Sequence, residues 1–357
     1  MTRKFNIGIV GRGFGEKVLL AAFRRDDRCR VVALCGRNSE KNEKTAHRNG
    51  LPVRFAGWKQ MVLDKDVHGV AIAVPPSKQP FVAELAMGSG KHVFLEKPVS
   101  VLCVDAKKLV RSASRAGIIT AVDFEFTEAP EWKKAKELLV SGAIGRIRHI
   151  AVSWNVETYA VKNHLVSWKT TARLGGGALN NFGSHSFHYL EWFCGPIKNL
   201  SAKLFTPRDL PKGGDTAFFI SAEFLSGAVA ILSVSTHSFL GAGHRLEFYG
   251  SMGSMILENG GADYVKGFAL FLARRGKNGF QRVKVKSYSK TGSDGRIDAV
   301  SSLVSRFLSA IEKKQNLKPG IKEGYRVQIL INAAKRSNCL GKRVGCKAGA
   351  ANKNEKK

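Results

Sequence analysis

The sequence predicts an α/β domain with a doubly wound parallel sheet, followed by an α+β domain with a mostly antiparallel open sheet. Three observations support this fold class. The 357 residues exceed the usual size of a single hydrophobic core. From Phe5 to Val122, short β-branched segments alternate with longer amphipathic segments, which is typical of parallel strands joined by helices. After residue 140 strand-like segments predominate, and this indicates an antiparallel sheet.

The first domain is predicted to span residues 1–122. Its connections at residues 77–88 and 101–116 are long enough for the crossover helices that parallel strands require. The predicted strands are residues 7–10, 31–34, 70–74, 92–95 and 118–122.

The second domain is predicted to span residues 123–345. It begins with a helix at residues 131–140 and closes with helices at residues 298–313 and 323–337. Hairpin signals occur at residues 226–227 and 250–251. A basic tail at residues 346–357 is expected to be disordered. The predicted strands are residues 148–154, 200–205, 217–224, 228–234, 245–249, 267–273 and 282–288.

The net charge is the abnormal feature of the composition. It is +30, from 58 Lys and Arg against 28 Asp and Glu. Eight of the basic residues lie between Tyr264 and Ser293, where the sequence has no acidic residue. The sequence contains no zinc-finger spacing, no RNP-like aromatic signature and no heptads with a basic arm. We therefore interpret the charge as a solvated basic surface and expect no specific nucleic-acid partner.

The sequence also indicates the compartment. Apolar stretches such as residues 70–76 have the length of a strand and fall short of the roughly 18 residues of a membrane span. Residues 1–10 lead directly into a strand pattern without a cleavage site. The six cysteines form no C-x-x-C pair, as expected for buried thiols in a reducing compartment. We expect a cytoplasmic protein without a membrane partner.

A glycine-rich turn follows the first predicted strand and precedes a helix. It reads Gly11-Arg12-Gly13-Phe14-Gly15. In a Rossmann unit the first glycine makes the tight turn, and the second lets the backbone approach the pyrophosphate of a dinucleotide at the helix N-terminus. The third glycine is one position early, so Glu16 stands where close packing usually requires glycine. The turn predicts a nicotinamide dinucleotide site.

The end of the second strand bears on the choice of cofactor. An NAD site usually has an acidic residue here for the ribose hydroxyls. This chain instead has Arg37, Asn38 and Ser39, with Lys41 nearby, and these groups suit a 2′-phosphate. NADP is therefore preferred over NAD. The alternative is that Arg37 stacks on the adenine of either cofactor.

Two further motifs indicate chemistry. Residues 90–98 read G-K-H-V-F-L-E-K-P at the carboxyl end of a predicted strand, where open α/β sheets bind ligands. Residues 175–185 read G-G-G-A-L-N-N-F-G-S-H and open a helix. With the glycine turn, these motifs resemble the Gfo/Idh/MocA family of sugar, inositol and related dehydrogenases. The resemblance extends from about residue 4 to residue 344.

The resemblance implies roles for particular residues. Lys97 is expected beside the nicotinamide, where a partly desolvated lysine can transfer a proton near neutral pH. His185 is expected to face the same substrate oxygen, with Asn181 beside it. The residues implied in cofactor binding are Gly11, Gly13, Phe14, Gly15, Arg37, Asn38, Ser39, Val74, Pro75, Pro76, Gln79, Glu96, Lys97, Glu125 and Trp168.

The chain departs from the family pattern at several positions. Where the family commonly has G-G-G-x-L-x-D-x-G-x-H-x-x-D, this chain has Asn181 and His188 at the two acidic positions. An amide can orient a substrate but cannot accept a proton. Proton transfer is therefore expected from Lys97 and His185, with His188 or Glu125 as helpers. Two other departures are Gln79, which replaces a histidine, and Lys169, which replaces the arginine of a W-R pair.

The leading interpretation is reversible hydride transfer on a sugar, nucleotide sugar or polyol, with no metal ion. Two alternatives remain open. One is a non-catalytic regulatory protein that senses a dinucleotide or sugar, and the other is an NAD-assisted glycoside hydrolase. Fold alone does not separate the three. The family resemblance also implies a homo-oligomer, a dimer or tetramer, formed through the exposed face of the second-domain sheet.

Overall fold

The computed structural model describes residues 4–36, 39–207, 213–261, 263–288 and 294–347, with Ser39 described by its backbone alone. The chain divides into two compact units. The first contains residues 1–125 and 292–325, and the second contains residues 126–291 and 326–357. The first unit therefore recruits a segment from near the end of the chain.

The first unit is built around parallel strands, as predicted. Within the described residues its sheet has five strands in the order β2-β1-β3-β4-β5. The glycine turn follows β1, which lies between β2 and β3, at the point where the strand order reverses. The strands are β1 (Phe5–Val10), β2 (Cys29–Cys35), β3 (Gly69–Ile72), β4 (His92–Leu95) and β5 (Thr120–Val122), and the helices are α1 (Leu20–Arg24), α2 (Ser39–Arg48), α3 (Trp58–Leu63), α4 (Gln79–Gly88) and α5 (Cys103–Arg115).

The core of the first unit includes the helix that returns from the end of the chain. One face of residues 296–312 is apolar and lies in the same buried cluster as β1 and the helix after the glycine turn. Phe94 packs edge to face against Phe23 and Phe307, with ring centroids 5.5 and 5.8 Å apart. Burial of this apolar surface fixes the returning helix against the sheet of the first unit.

The second unit is a helix-covered, mostly antiparallel sheet, which confirms the predicted fold class. In the described part of the chain the sheet has nine strands in the order β13-β12-β11-β10-β6-β9-β8-β7-β14, and β6 and β9 are its parallel pair. The strands are β6 (Ile147–Asn155), β7 (Ile197–Phe205), β8 (Ala217–Phe224), β9 (Val229–Ser235), β10 (Gly243–Gly250), β11 (Gly253–Asn259), β12 (Ala269–Arg274), β13 (Gln281–Arg282) and β14 (Val344–Gly345). The remaining helices are α6 (Pro130–Val140), α7 (Tyr159–Lys162), α8 (Ser184–Cys194), α9 (Arg296–Glu312) and α10 (Ile321–Leu340), of which α9 belongs to the first unit and α10 begins there.

Some elements differ from the sequence prediction. The expected strand at residues 282–288 is wrong beyond Arg282: β13 consists of Gln281 and Arg282, and after them the Val283 N–H makes one further backbone bond to β12, to Leu270 O at 2.8 Å. Strand β11 was not predicted, although it completes a hairpin with β10 after residue 250. The predicted tail begins too early: Cys346 is buried and its N–H donates to Lys198 O at 3.0 Å. Residues 348–357 lie outside the described residues.

The described residues bear on two expectations, the absence of a membrane span and the state of the cysteines. None of the helices found there combines the length and apolar character needed to cross a bilayer. All six cysteines are described, and each is a free thiol. Cys29, Cys35 and Cys346 are buried, and burial raises the pKa of the Cys35 thiol to about 11, so this thiol stays protonated at neutral pH.

Candidate active site

The glycine turn has the backbone geometry that a dinucleotide site requires. Gly11 has a φ of 114°, and a Cβ atom there would lie 2.2 Å from the carbonyl oxygen of Ala73. Only glycine fits this position. A Cβ atom at Gly13 would have no protein atom within 4 Å. The turn therefore presents open space over an exposed backbone, as the approach of a pyrophosphate demands.

The structure explains the early third glycine. A Cβ atom at Gly15 would lie 2.9 Å from Ile9 Cγ2, so Gly15 itself permits the close packing of helix on strand. The chain then makes a π-helical turn at Gly15–Leu19 before α1, a feature found often at functional sites. The carboxylate of Glu16 turns away to pair with Arg48 and to accept from Asn49 Nδ2 at 2.9 Å. Glu16 is thus compatible with the site.

An arginine that the sequence did not single out lies on the glycine turn. The guanidinium carbon of Arg296, at the start of α9, is 5.1 Å from the centroid of the Phe14 ring. Arg296 Nε also donates to Asp294 Oδ1 at 2.8 Å. Such a cation–π contact fixes both side chains. Arg296 is far from Phe14 along the chain, and a sequence pattern carries no signal for this pairing.

A second arginine occupies the end of β2. The side chain of Arg12 lies across Gly36, where a Cβ atom would be 2.6 Å from Arg12 Nε. The Gly36 N–H donates to Asn42 Oδ1 at 2.7 Å, which ties the strand end to α2. Arg37 and Asn38 lie outside the described residues, and Ser39 begins α2, the helix that also carries Lys41. Arg12 is the guanidinium that the structure itself places at this strand end.

The turn after β3 leads to a buried amide. Val74 and Pro75 are half-buried and Pro76 is buried. Gln79, which begins α4, donates from Nε2 to Glu96 O at 2.9 Å and to Pro98 O at 2.8 Å. The family resemblance implies that Gln79 binds the cofactor, and this stays a prediction; in the structure its amide nitrogen holds the backbone on both sides of Lys97. The Lys97–Pro98 peptide bond in this turn is cis.

Three carboxyl groups at the carboxyl ends of β4 and β5, those of Glu96, Asp123 and Glu125, interact electrostatically with Lys97. Burial raises the pKa of Glu96 and of Asp123, and the neighbouring carboxyls add to the effect on Asp123. Burial also raises the pKa of Glu125 to about 7, against the lowering influence of Lys97. Glu125 can therefore exchange a proton near neutral pH. The expected roles of Lys97 and Glu125 remain predictions, but both belong to the unit that carries the glycine turn.

In the second unit, two glycines of the run 175–177 leave no room for a side chain. A Cβ atom at Gly176 would lie 2.4 Å from Trp168 O, and one at Gly177 would lie 2.3 Å from Asp215 Oδ1. Asp215 Oδ2 accepts the Leu179 N–H at 2.7 Å, so Asp215 caps the π-helical turn Leu179–Gly183 that precedes α8. Burial raises the pKa of Asp215 to about 6. Sequence reasoning missed this cap, which follows Gly213 and Gly214.

The side chain of Asn181 on this helical segment is held by backbone carbonyl groups. Asn181 Nδ2 donates to Gly177 O at 2.9 Å and to Lys169 O at 3.3 Å. The amide therefore links the helix start to the turn that carries Trp168, whose ring lies 5.9 Å from the Lys169 ammonium. The amide cannot accept a proton, and its expected role in orienting the substrate remains a prediction.

His185 lies among aromatic rings. It is 5% exposed, and its ring centroid is 5.0 Å from that of Phe126 and 6.1 Å from that of Trp154. His188, one turn further along α8, is buried, and burial lowers its pKa to about 3. His188 is therefore neutral at physiological pH and cannot serve as an acid there.

The residues present fit a dinucleotide. The open space at Gly13, the backbone of the turn and the cation of Arg296 on Phe14 provide room, hydrogen-bond donors and positive charge for a pyrophosphate. Among the residues described, no group of three or more His, Cys, Asp or Glu side chains is placed to hold a metal ion.

Two family models match most of the chain. Residues 5–124 match the model of the oxidoreductase family with an NAD-binding Rossmann fold. Residues 132–256 match the model of the GFO/IDH/MocA C-terminal domain. The two matches cover the glycine turn, the Lys97 turn and the His185 helix in the order that the sequence motifs predicted.

Individual proteins show the same similarity. The chain is 29% identical over 355 residues to an uncharacterized oxidoreductase of Synechocystis sp., with 95% of each chain covered. It is 27% identical over 229 residues to the levoglucosan dehydrogenase of Pseudarthrobacter phenanthrenivorans, which covers 60% of this chain and 58% of that protein. The fold is similar to that of a levoglucosan dehydrogenase in complex with NADH and levoglucosan, with a TM-score of 0.87, 22% identity and coverage of 97% of this chain and 100% of the other.

Proposed function

We propose a function for this chain, which belongs to the Gfo/Idh/MocA family of oxidoreductases. It transfers a hydride between NADP(H) and a CH–OH carbon of a sugar, nucleotide sugar or polyol. The observation that carries the proposal is the turn at Lys97, which lies at the carboxyl end of β4. Gln79 Nε2 fixes this turn by donating to the carbonyl oxygens of Glu96 and Pro98. Ligands bind at this edge of a doubly wound sheet. The sugar class is supported by the levoglucosan dehydrogenase relative.

The proposed reaction separates a hydride from a proton. The bound nicotinamide supplies the hydride acceptor in oxidation and the hydride donor in reduction. During oxidation the substrate C–H bond breaks with its electron pair, the hydroxyl O–H proton passes to Lys97 Nζ, and a carbonyl forms. Glu125, whose pKa burial raises to about 7, is proposed to exchange that proton onward.

In the second unit, His185 and Asn181 are proposed to bind the reacting oxygen. The aromatic rings around His185 exclude water from one side of the imidazole and limit its orientation. Asn181 is held by two backbone carbonyls, so it can orient a hydroxyl without taking its proton. Proton transfer is therefore assigned to Lys97 and His185.

NADP is proposed as the preferred cofactor. The sequence supports this preference through Arg37, and the structure adds Arg12, which lies across the end of β2. A 2′-phosphate dianion at that strand end would gain from a guanidinium and would be repelled by the acid usual in NAD sites. In the described part of this strand end, residues 29–36, no acidic side chain is present.

A cytoplasmic homo-oligomer is also proposed. The outer face of β8 and β9 exposes large apolar side chains, including Phe219 (52% exposed) and Ile231 (56% exposed). Exposed apolar patches on a sheet face commonly mark protein contacts. Light scattering coupled to size-exclusion chromatography tests this, and a monomer at micromolar concentration would contradict it.

The decisive experiment is a two-step assay. Titration of the purified protein with NADPH and NADH, followed by nicotinamide fluorescence, tests the cofactor and its preference. A screen of sugars, nucleotide sugars and polyols for a change in nicotinamide absorbance then tests the reaction. Binding of NADPH without turnover of any substrate would favour the regulatory alternative, and no binding of either cofactor would exclude the proposal.

A further inference from the structure

Two neighbouring parallel strands place carboxyl groups side by side. Leu95 of β4 pairs with Val122 of β5, and the N–H of Asp123 donates to Leu95 O at 2.8 Å. Glu96 and Asp123 directly follow this pair on the two strands, so their side chains leave the sheet next to each other. Two carboxyl groups can hydrogen-bond to each other only when one of them carries a proton.

The surroundings of Asp123 favour that proton. The residue is fully buried, and neither carboxyl oxygen accepts a hydrogen bond from a donor group in the part of the chain that the structure describes. The Oε1 atom of Glu96 is also buried and has no hydrogen-bond donor among the described residues. An ionised carboxylate without donors is strongly disfavoured in a protein interior. A proton between the two groups gives each a partner and removes one of two adjacent negative charges.

We propose that Glu96 and Asp123 share one proton at neutral pH and that this pair is a positioning element, which presents a single negative charge to Lys97. The inference rests on the role of Lys97 under the proposed function. Burial and the adjacent carboxyl raise the pKa of Asp123 in the direction the proposal requires. Lys97 is then attracted by one negative charge on the pair and not by two.

The other charged groups that face the pair are consistent with this charge state. Glu125 is the third carboxyl, and Arg296 is the second cation that interacts with Glu96 and Glu125. Arg296 is itself paired with Asp294. If all three carboxyls were ionised, three neighbouring negative charges would face the cations of Lys97 and Arg296. The shared proton brings the cluster close to balance.

The first test uses the protein without cofactor or substrate. Infrared difference spectra between wild type and Asp123→Asn, recorded about one pH unit above the Glu125 pKa of about 7, should show the C=O stretch of a protonated carboxyl that is lost in the variant. Because no turnover is needed, this result is independent of the proposed function. Absence of the band in wild type would overturn the shared proton.

The second test is the pH dependence of stability. The pKa of Asp123 is raised in the folded state, so the folded wild type binds more protons than the unfolded chain and loses stability as the pH rises between the two pKa values. Asp123→Asn keeps a donor for Glu96 but does not titrate. The folding equilibrium constant of the variant relative to wild type should therefore rise by up to about tenfold per pH unit in this window. A variant that is less stable by a constant factor at every pH would overturn the proposal.

The third test separates positioning from a purely structural role. Asp123→Asn leaves the charge of the pair unchanged, so the pH profile of kcat/KM should stay within about 0.3 pH units of wild type. Glu96→Gln removes the negative charge next to Lys97 and should move the whole profile to lower pH by about one unit or more. The same profile in both variants would show that the pair does not act on Lys97.

Discussion

Gly13→Ala should separate cofactor binding from folding. A Cβ atom at Gly13 meets no protein atom within 4 Å, and the backbone there is outside the left-handed region. Alanine should therefore fit, and it should stabilise the first unit by about 0.4–1 kcal/mol through a less flexible unfolded chain. The methyl group would occupy the space through which a pyrophosphate approaches the turn.

The loss of binding can be worked out from the contacts at stake. A charge-assisted hydrogen bond between a backbone N–H and a phosphate contributes about 1.5–3 kcal/mol. Loss of one such bond raises the Kd for NADPH by roughly ten- to a hundredfold. Fluorescence titration measures this change, and the thermal midpoint of the same sample reports stability.

Two control variants make the result interpretable. Gly88→Ala, in the exposed last position of α4 and also without neighbours within 4 Å, should raise stability and leave the Kd unchanged. Gly11→Ala should lower stability by about 1–3 kcal/mol, because its Cβ atom would lie 2.2 Å from Ala73 O. A Gly13→Ala protein that binds NADPH within twofold of wild type would refute the placement of the pyrophosphate.

Four further outcomes are expected. Lys97→Ala should abolish turnover on a verified substrate while the NADPH Kd stays within a few-fold, and near-normal turnover would make Lys97 structural. Arg37→Ala should raise the NADPH Kd by about ten- to a hundredfold without affecting NADH, and equal affinities for the two cofactors in wild type would contradict the preference. Asn181→Asp should move the acidic limb of the rate profile upward by stabilising a charged His185, and His185→Ala should remove that limb with most of the activity; profiles unchanged in both would point to Lys97 alone. Asp215→Asn should remove the pH dependence of stability between pH 4 and 6, because burial raises the pKa of Asp215 from its usual 3.8 to about 6 and wild type loses stability as the pH rises through that window. Denaturant titrations of the two proteins show whether the slope persists in the variant.

Local patterns in the sequence determined the fold class and the position of the nucleotide site. The turn from Gly11 to Gly15 is contiguous, and its glycines follow a strand and precede a helix. The Lys97 turn and the glycine run before His185 are also contiguous in sequence. Motifs of this kind are readable because backbone geometry depends on residues close in sequence.

Sequence periodicity failed where a strand needs a partner. Residues 282–288 alternate in the manner of a strand, yet pairing with β12 ends at Arg282. A strand exists only when another strand satisfies its backbone hydrogen bonds. The sequence of one segment does not contain that information.

Tertiary structure alone decided the partners that tune the site. Arg296 reaches Phe14 from a helix that begins after the second sheet, and Asp215 caps a helix that starts well before it. Packing also turns the amide nitrogen of Gln79 to the backbone around Lys97. Side chains meet according to the packing of whole elements, and that packing depends on the burial of apolar surface throughout each unit.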